Sequence, residues 1–182
     1  MKELAETLDI RLAMPDELTR IREIEDVAGE MFSGLGLIDE ADDGSFPLDL
    51  LADLISFEQV WVACDADDIP VGMVIASIRE GNVHVEEMDV IPSHGGRGLG
   101  TRMLVQVSKW AAVRGYPAVT LSTFRDVPWN GPFYRKQGFR DLEHLEWAPY
   151  MHMLREEETR HGLKVEERVF MIKELGDHAP DA

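Results

Sequence analysis

The sequence predicts an α+β fold built on a central mixed sheet, and three observations lead there. Short β-type runs alternate with helix-period segments along the chain of 182 residues. Two of the runs, Val60–Cys64 and Val71–Ile78, are separated only by an Asp-rich turn, the pattern of an antiparallel hairpin. The stretch from Val83 to Thr123 reads strand, helix, strand, a βαβ unit whose two strands lie parallel.

Each element has its own reason. Ile10-Arg11-Leu12-Ala13 is a short strand. Pro15-Asp16-Glu17 opens a helix, with Pro in the first turn and acids complementing the helix dipole. Leu18, Ile21, Ile24, Ala28 and Met31 space its apolar face. Residues 33–45 are rich in Gly and Asp and form a loop. Helical spacing resumes from Pro47 to Phe57 through Leu50, Leu51, Leu54 and Ile55. After the hairpin, Gly81-Asn82 turns the chain into a third strand, Val83–Val90. The next helix runs from Gly98 to Arg114, with Leu99, Met103, Val107, Trp110 and Ala111 on one face and Gly115 closing it. Ala118–Thr123 is a buried strand. Asn130–Gln137 is a short helix ended by Gly138, and Phe139 starts another strand. Met151–His161 is helical, and Arg168–Ile172 is the last strand. No repeat or linker divides the chain, so it reads as one domain over 1–182 with its core at about 10–175.

The formal net charge is −17. That excess argues against a nucleic-acid partner, which needs a basic face. An acidic field gathers cationic substrates such as amines, and it also serves solubility; the sequence leaves both open. The clusters Asp39–Asp43, Asp65–Asp68 and Glu156–Glu158 read as solvated loops and helix faces. The single cysteine, Cys64, lies in an apolar run, which suits a buried small hydrophobe and excludes a disulfide framework. The N-terminus carries no apolar leader, and no run approaches the ~20 apolar residues of a membrane span. The reading is therefore a soluble, cytoplasmic protein without a membrane partner. The six histidines show no ligand spacing, His152 and His161 read as surface helix residues, and no metal is expected.

The most informative stretch is Gly95-Gly96-Arg97-Gly98-Leu99-Gly100, between a strand end and a helix. A Gly-rich turn there stacks free backbone N–H groups at the positive end of the helix dipole, which makes an anion site. Glycines let the backbone approach a phosphate closely. Glu86 and Glu87 just upstream supply carboxylates. A phosphate cradle beside carboxylates suggests group transfer from a phosphorylated donor.

Met88-Asp89-Val90-Ile91-Pro92, Gly96-Arg97-Gly98-Leu99-Gly100 and Phe133-Tyr134-Arg135-Lys136-Gln137-Gly138-Phe139 together resemble the GCN5-related N-acetyltransferase (GNAT) family over about residues 10–175. The first two segments are similar to its acetyl-CoA motif, and the third to its Tyr-X-X-X-Gly-Phe segment. One position departs from the pattern. Where the family places Gln or Arg, three residues before the first Gly of G-X-G, this chain has Gly95. The span between Asn130 and Tyr134 is also short for the family.

The resemblance implies a twisted, mostly antiparallel sheet of six to seven strands flanked by helices, with a V-shaped splay between strands 4 and 5. It implies acetyl-CoA as acyl donor, held by the backbone of Met88, Asp89 and Val90, by Gly95, Gly96, Arg97, Gly98, Leu99, Gly100 and Thr101, and by Asn130. It implies acyl transfer to a primary amine, most simply of a small molecule. A protein or peptide acceptor, or an acyl-CoA sensor without turnover, are the alternatives. Homodimers are common in the family, so a homodimer is the assembly it implies. The attacking amine must lose a proton. Glu86 matches the place of a family acid and is the preferred base, with His84 on the same strand face as second choice. Binding of the substrate cation is the competing role for Glu86. Tyr134 matches the general acid that serves the departing thiolate. Phe124, Trp129, Trp61 and Trp147 are core or acceptor-pocket residues, and Arg125–Asn130, just after a strand end, is the favoured acceptor-side loop.

Overall fold

The computed structural model describes residues 8–38 and 45–176. The acidic run at Asp39–Asp43 lies outside them. Seven strands form one mixed sheet: β1 (Asp9–Leu12), β2 (Val60–Cys64), β3 (Pro70–Arg79), β4 (Asn82–Val90), β5 (Ala118–Phe124), β6 (Arg140–Asp141) and β7 (Arg168–Glu174), in the order β1-β2-β3-β4-β5-β7-β6. Five α-helices flank it: α1 (Leu18–Gly29), α2 (Leu48–Ser56), α3 (Leu99–Val113), α4 (Gly131–Lys136) and α5 (Pro149–Arg160). The chain divides into two compact units, one of residues 8–31, 45–76 and 87–106, the other of 32–38, 77–86 and 107–176.

In the first unit β1, β2 and β3 pair antiparallel. The Asp65 carboxylate accepts the N–H groups of Asp67 and Ile69, both at 3.0 Å, and so shapes the β2–β3 turn. Asp68, read as solvated chain, is exposed and also pairs with Arg11 at 3.0 Å. The helix start at Pro15–Glu17 is a single 3₁₀ turn, and Glu17 reaches back to the Met14 N–H at 2.7 Å. Arg11 binds both oxygens of Glu17, which explains how this carboxylate sits only 8% exposed. Ile21, Ile24 and Ala28 face inward as the spacing predicts. Met31 does not, because the α-helix has passed into a 3₁₀ turn by then and its period has changed. In α2, Leu51, Leu54 and Ile55 are buried and Leu50 is exposed. These side chains close one core with Val62, Cys64, Met73 and Ile75. Burial pushes the Cys64 thiol up to about 12, in keeping with an inert packing residue.

In the second unit β5 and β7 pair antiparallel over their full lengths, and β6 joins the far edge of β7. The parallel β4–β5 ladder runs only from Val83–Val119 to Val85–Leu121, although β4 continues to Val90 and β5 to Phe124. An early end to this ladder is what a splay of strands 4 and 5 requires. Leu142, Tyr150, Met151 and Phe170 form a core cluster under α5. Glu158, read as part of a solvated helix face, is instead a structural centre. It pairs with Arg155 and Arg168, each at 3.0 Å, and accepts a hydrogen bond from Ser122. No helix of the described residues is long and apolar enough to cross a membrane.

Candidate active site

The cradle is built locally. The Ile91 N–H donates to the Val71 carbonyl at 2.9 Å and fixes the end of β4 against β3. Gly72 makes this close approach feasible, since a Cβ there would sit 2.9 Å from the Asp89 carbonyl oxygen and 3.1 Å from Val90. Sequence reading did not single out Gly72; an isolated Gly inside a strand was the available signal. Pro92–His94 then forms a 3₁₀ turn, closed by the Gly95 N–H on the Pro92 carbonyl at 3.1 Å.

Gly96 and Gly98 have φ of +73° and +77°, which side chains rarely adopt, so the turn demands glycine at both. A Cβ on either would meet nothing within 4 Å. Space alone would therefore admit a side chain at either position, and it is the backbone conformation that requires glycine. The first α-helical hydrogen bond runs from the Arg102 N–H to the Gly98 carbonyl at 3.1 Å. The N–H groups of Leu99, Gly100 and Thr101 are thus the first-turn donors that an α-helix leaves for outside acceptors. Leu99, 2% exposed, pins this end of α3 to the interior. Met88, Asp89 and Val90 are half-buried at the end of β4, in the same unit as the cradle. Burial raises the Asp89 carboxyl to about 7, with Glu25 adding to the rise and a hydrogen bond with Glu87 opposing it.

Glu86, His84, Asn130 and Tyr134 belong to the other unit. The side chain of Glu86 is only 10% exposed and is held through one oxygen. Its Oε1 accepts from Ser77 Oγ and, at 2.9 Å, from Arg79 Nε. Oε2 takes no hydrogen bond from a described residue and is the oxygen left for chemistry. The partners Ser77 and Arg79 come from β3, and nothing in the sequence near Glu86 announces them. Tyr134 is 7% exposed and packs edge-on against Phe133 and Phe139. Asn130 is the residue before α4, and its carbonyl accepts the Tyr134 N–H at 3.0 Å.

His84 is buried. Its Nδ1 lies 2.9 Å from Thr120 Oγ1, which lies 2.8 Å from the Tyr150 hydroxyl. Burial lowers the imidazole pKa; Glu86 and Glu158 oppose that, while Arg79 and Arg168 reinforce it. This depressed value has a consequence for stability. Below the ordinary histidine pKa of about 6.5 the unfolded chain takes up a proton that the native ring refuses, so stability falls as pH drops toward the folded value. Melting curves between pH 7.5 and 5.5 are expected to decline more steeply for the wild type than for His84→Gln. Parallel declines would remove this assignment.

A cleft of about 350 Å³ opens in the same unit. Its walls include Leu35, Leu37, Phe124, Val127 and Trp129, with Asp126 and Glu167 contributing carboxylates. Phe32 packs 5.5 Å from Phe124 and 6.0 Å from Trp129, ring centre to ring centre. The favoured loop, Arg125–Asn130, therefore does border a cleft. The opposite wall comes from the segment after α1, which composition marked only as a polar loop. Trp61 is 1% exposed in the first unit, and Trp147 packs on Phe170. Trp61 is a core residue, and Trp147 is partly buried against the cluster under α5. His152 and His161 are exposed, and no group of metal-ligating side chains occurs among the described residues.

The sequence model of the acetyltransferase (GNAT) family matches residues 21–139, well over half of the chain. This chain belongs to the GNAT family. Enzymes of the family use acetyl-CoA as acyl donor. Solved GNAT structures share the fold over nearly the whole chain. PaiA N-acetyltransferase from Thermoplasma acidophilum, in complex with coenzyme A, is 15% identical over 92% of this chain and 99% of its own, with a TM-score of 0.69. YhbS from Escherichia coli, also in complex with CoA, is 18% identical over 97% of this chain and 86% of its own, with a TM-score of 0.62. The ribosomal-protein-S18-alanine N-acetyltransferase of Escherichia coli is 12% identical over 96% and 97%, with a TM-score of 0.65. At these identities the likeness establishes the GNAT fold.

Proposed function

We propose that this protein transfers the acetyl group of acetyl-CoA to the primary amine of a small molecule, by direct attack in a ternary complex. The observation that carries the reading is the positive-φ turn at Gly96 and Gly98, feeding the first turn of α3, in a chain of the GNAT family. In this reading Gly95 closes the preceding turn, the N–H groups from Gly96 to Thr101 hold the donor's phosphates, the backbone of Met88, Asp89 and Val90 holds its pantetheine arm, and Asn130 adds a polar contact. Arg97 supplies positive charge at the same turn, where the family pattern would have used the side chain now replaced by Gly95.

Glu86 Oε2 takes the proton of the acceptor ammonium, directly or through water. The freed nitrogen lone pair attacks the thioester carbonyl carbon; the C–N bond forms and the C–S bond breaks. Tyr134 serves the departing thiolate. A thiol pKa near 8.5 against a phenol near 10 makes a hydrogen bond from the phenol sufficient. As the C–S bond breaks the nitrogen sheds its second proton, which ends on the sulfur through Tyr134 or solvent, so the products are the amide and the CoA thiol.

The direct test is thermal unfolding with acetyl-CoA, with CoA and without ligand. A ligand at 100 times its Kd adds about 2.7 kcal/mol to native stability. For a chain of this size that raises the midpoint by roughly 5–10 °C. No rise at millimolar acetyl-CoA would remove the reading's main support. Thiol release with a panel of amines then separates an enzyme from an acyl-CoA sensor. A peptide with an N-terminal alanine in the panel tests the protein-acceptor alternative.

A further inference from the structure

The cleft at Leu35, Phe124 and Trp129 is bordered by the favoured acceptor-side loop, and its lining narrows the chemistry of what can sit there. We propose that it holds the body of the acceptor, and that this acceptor is a single primary amine on an aryl or branched-alkyl body rather than a polyamine or an aminosugar. The proposal rests on the acetyltransferase reading and narrows its substrate class.

Three features point the same way. The volume of about 350 Å³ lies at the lower end of the ~300–1,000 Å³ typical of small-molecule pockets, so it suits a compact ligand. The walls are leucine and aromatic. Trp129 is 40% and Leu35 46% exposed, so both present apolar surface that a ligand can cover. A tilted cluster of Phe32, Phe124 and Trp129 offers ring edges and faces to another ring. A polyhydroxylated or polycationic ligand would lose hydration along the leucine and aromatic walls, where Asp126 and Glu167 are the acidic partners in the lining.

Charge supplies the third feature. Asp126 and Glu167 are the two acidic residues among those that line the cleft. Arg168, the cation over the Phe124 ring at 4.7 Å, is held on Glu158, which it shares with Arg155. Acidic residues beside an apolar wall fit one ammonium at the end of one apolar body. The overall charge of −17 would have been compatible with a polycation; the lining of the cleft discriminates against one.

The test compares 2-phenylethylamine with spermidine, by thiol release at saturating acetyl-CoA and by tryptophan fluorescence. The expected result is a kcat/KM at least about tenfold higher for 2-phenylethylamine. Trp129→Ala should raise its KM about tenfold with kcat within a few-fold, and Leu35→Ser should do the same more weakly. Both variants should keep the thermal shift with acetyl-CoA, which shows that they fold and bind the donor. Binding of 2-phenylethylamine should change the fluorescence of the wild type and leave Trp129→Phe unchanged. A preference for spermidine, or a KM unmoved in both wall variants, would overturn the proposal while leaving the acetyltransferase reading intact. No acetyl-CoA shift and no thiol release from any amine would instead remove that reading. Fluorescence binding of 2-phenylethylamine in that case would be binding without an acceptor role, and it would overturn the proposal too.

Discussion

Glu86→Gln is expected to lower kcat by about 10²–10⁴-fold, the range for loss of a positioned acid or base, with little change in the thermal shift given by acetyl-CoA. The substitution is isosteric. The amide oxygen can still accept from Ser77 and Arg79, so the side chain stays where the carboxylate was. What it loses is the capacity to take a proton. Arg79 loses its counter-ion, but its side chain is 36% exposed and water screens it, so the fold is little affected. Tyr134→Phe is the companion. It removes one hydroxyl and keeps the ring contacts with Phe133 and Phe139. The two variants are distinguished by pH. If Glu86 is the base, the acidic limb of the wild-type kcat profile disappears in Glu86→Gln and survives in Tyr134→Phe. A Glu86→Gln enzyme within a few-fold of the wild type at every pH would sink the base assignment. A raised KM at unchanged kcat would show instead that Glu86 binds the substrate cation.

The contrast between Glu86 and its surroundings shows what kind of information the chain carries in plain view. Strands and helices were legible because apolar periodicity is a local property. The runs at Val60–Cys64 and Ala118–Phe124 are buried nearly throughout, and the βαβ unit between Val83 and Thr123 is present with its parallel ladder. The cradle was legible for the same reason: a strand end, a Gly-rich turn and a helix stripe are contiguous. Partnerships across the fold were not. Ser77 and Arg79 meet Glu86 through the strand arrangement, and Arg168 meets Glu158 from ten residues further along the chain. A charge run such as Glu156–Glu158 looks solvated until the position of a guanidinium is known. The cleft was half legible. Loop Arg125–Asn130 follows a strand end, where pockets open, whereas Leu35 and Leu37 sat in a segment whose composition says only that it is a loop.

Glycine shows the same limit most sharply, and Gly131→Ala carries the largest expected loss of stability. Gly131 opens the short helix α4 and is not among the residues with positive φ. It is needed for space. A Cβ at this position would lie 2.2 Å from the Arg125 carbonyl oxygen, 2.9 Å from its carbon and 3.1 Å from the Phe124 carbonyl oxygen. All three are backbone atoms at the end of β5, so no side-chain rotamer can relieve the overlap. The start of α4 has to move away from β5 and take Tyr134 with it. Overpacking of a well-filled interior costs about 1–3 kcal/mol, and contact with rigid backbone places this case at the upper end. That corresponds to a fall in Tm of roughly 6–12 °C for a chain of this length. Gly29→Ala is the matched control. Gly29 ends α1, a Cβ there meets nothing within 4 Å, and alanine favours the helix by up to about 1 kcal/mol. The expected pair is therefore a melting point lowered by Gly131→Ala and held or raised by Gly29→Ala. A Gly131→Ala protein that melts within a degree of the wild type would mean that α4 does not pack on β5 as closely as described. If Tyr134 serves the leaving thiolate, the surviving folded fraction of Gly131→Ala should also turn over more slowly, because the helix that carries the phenol has shifted.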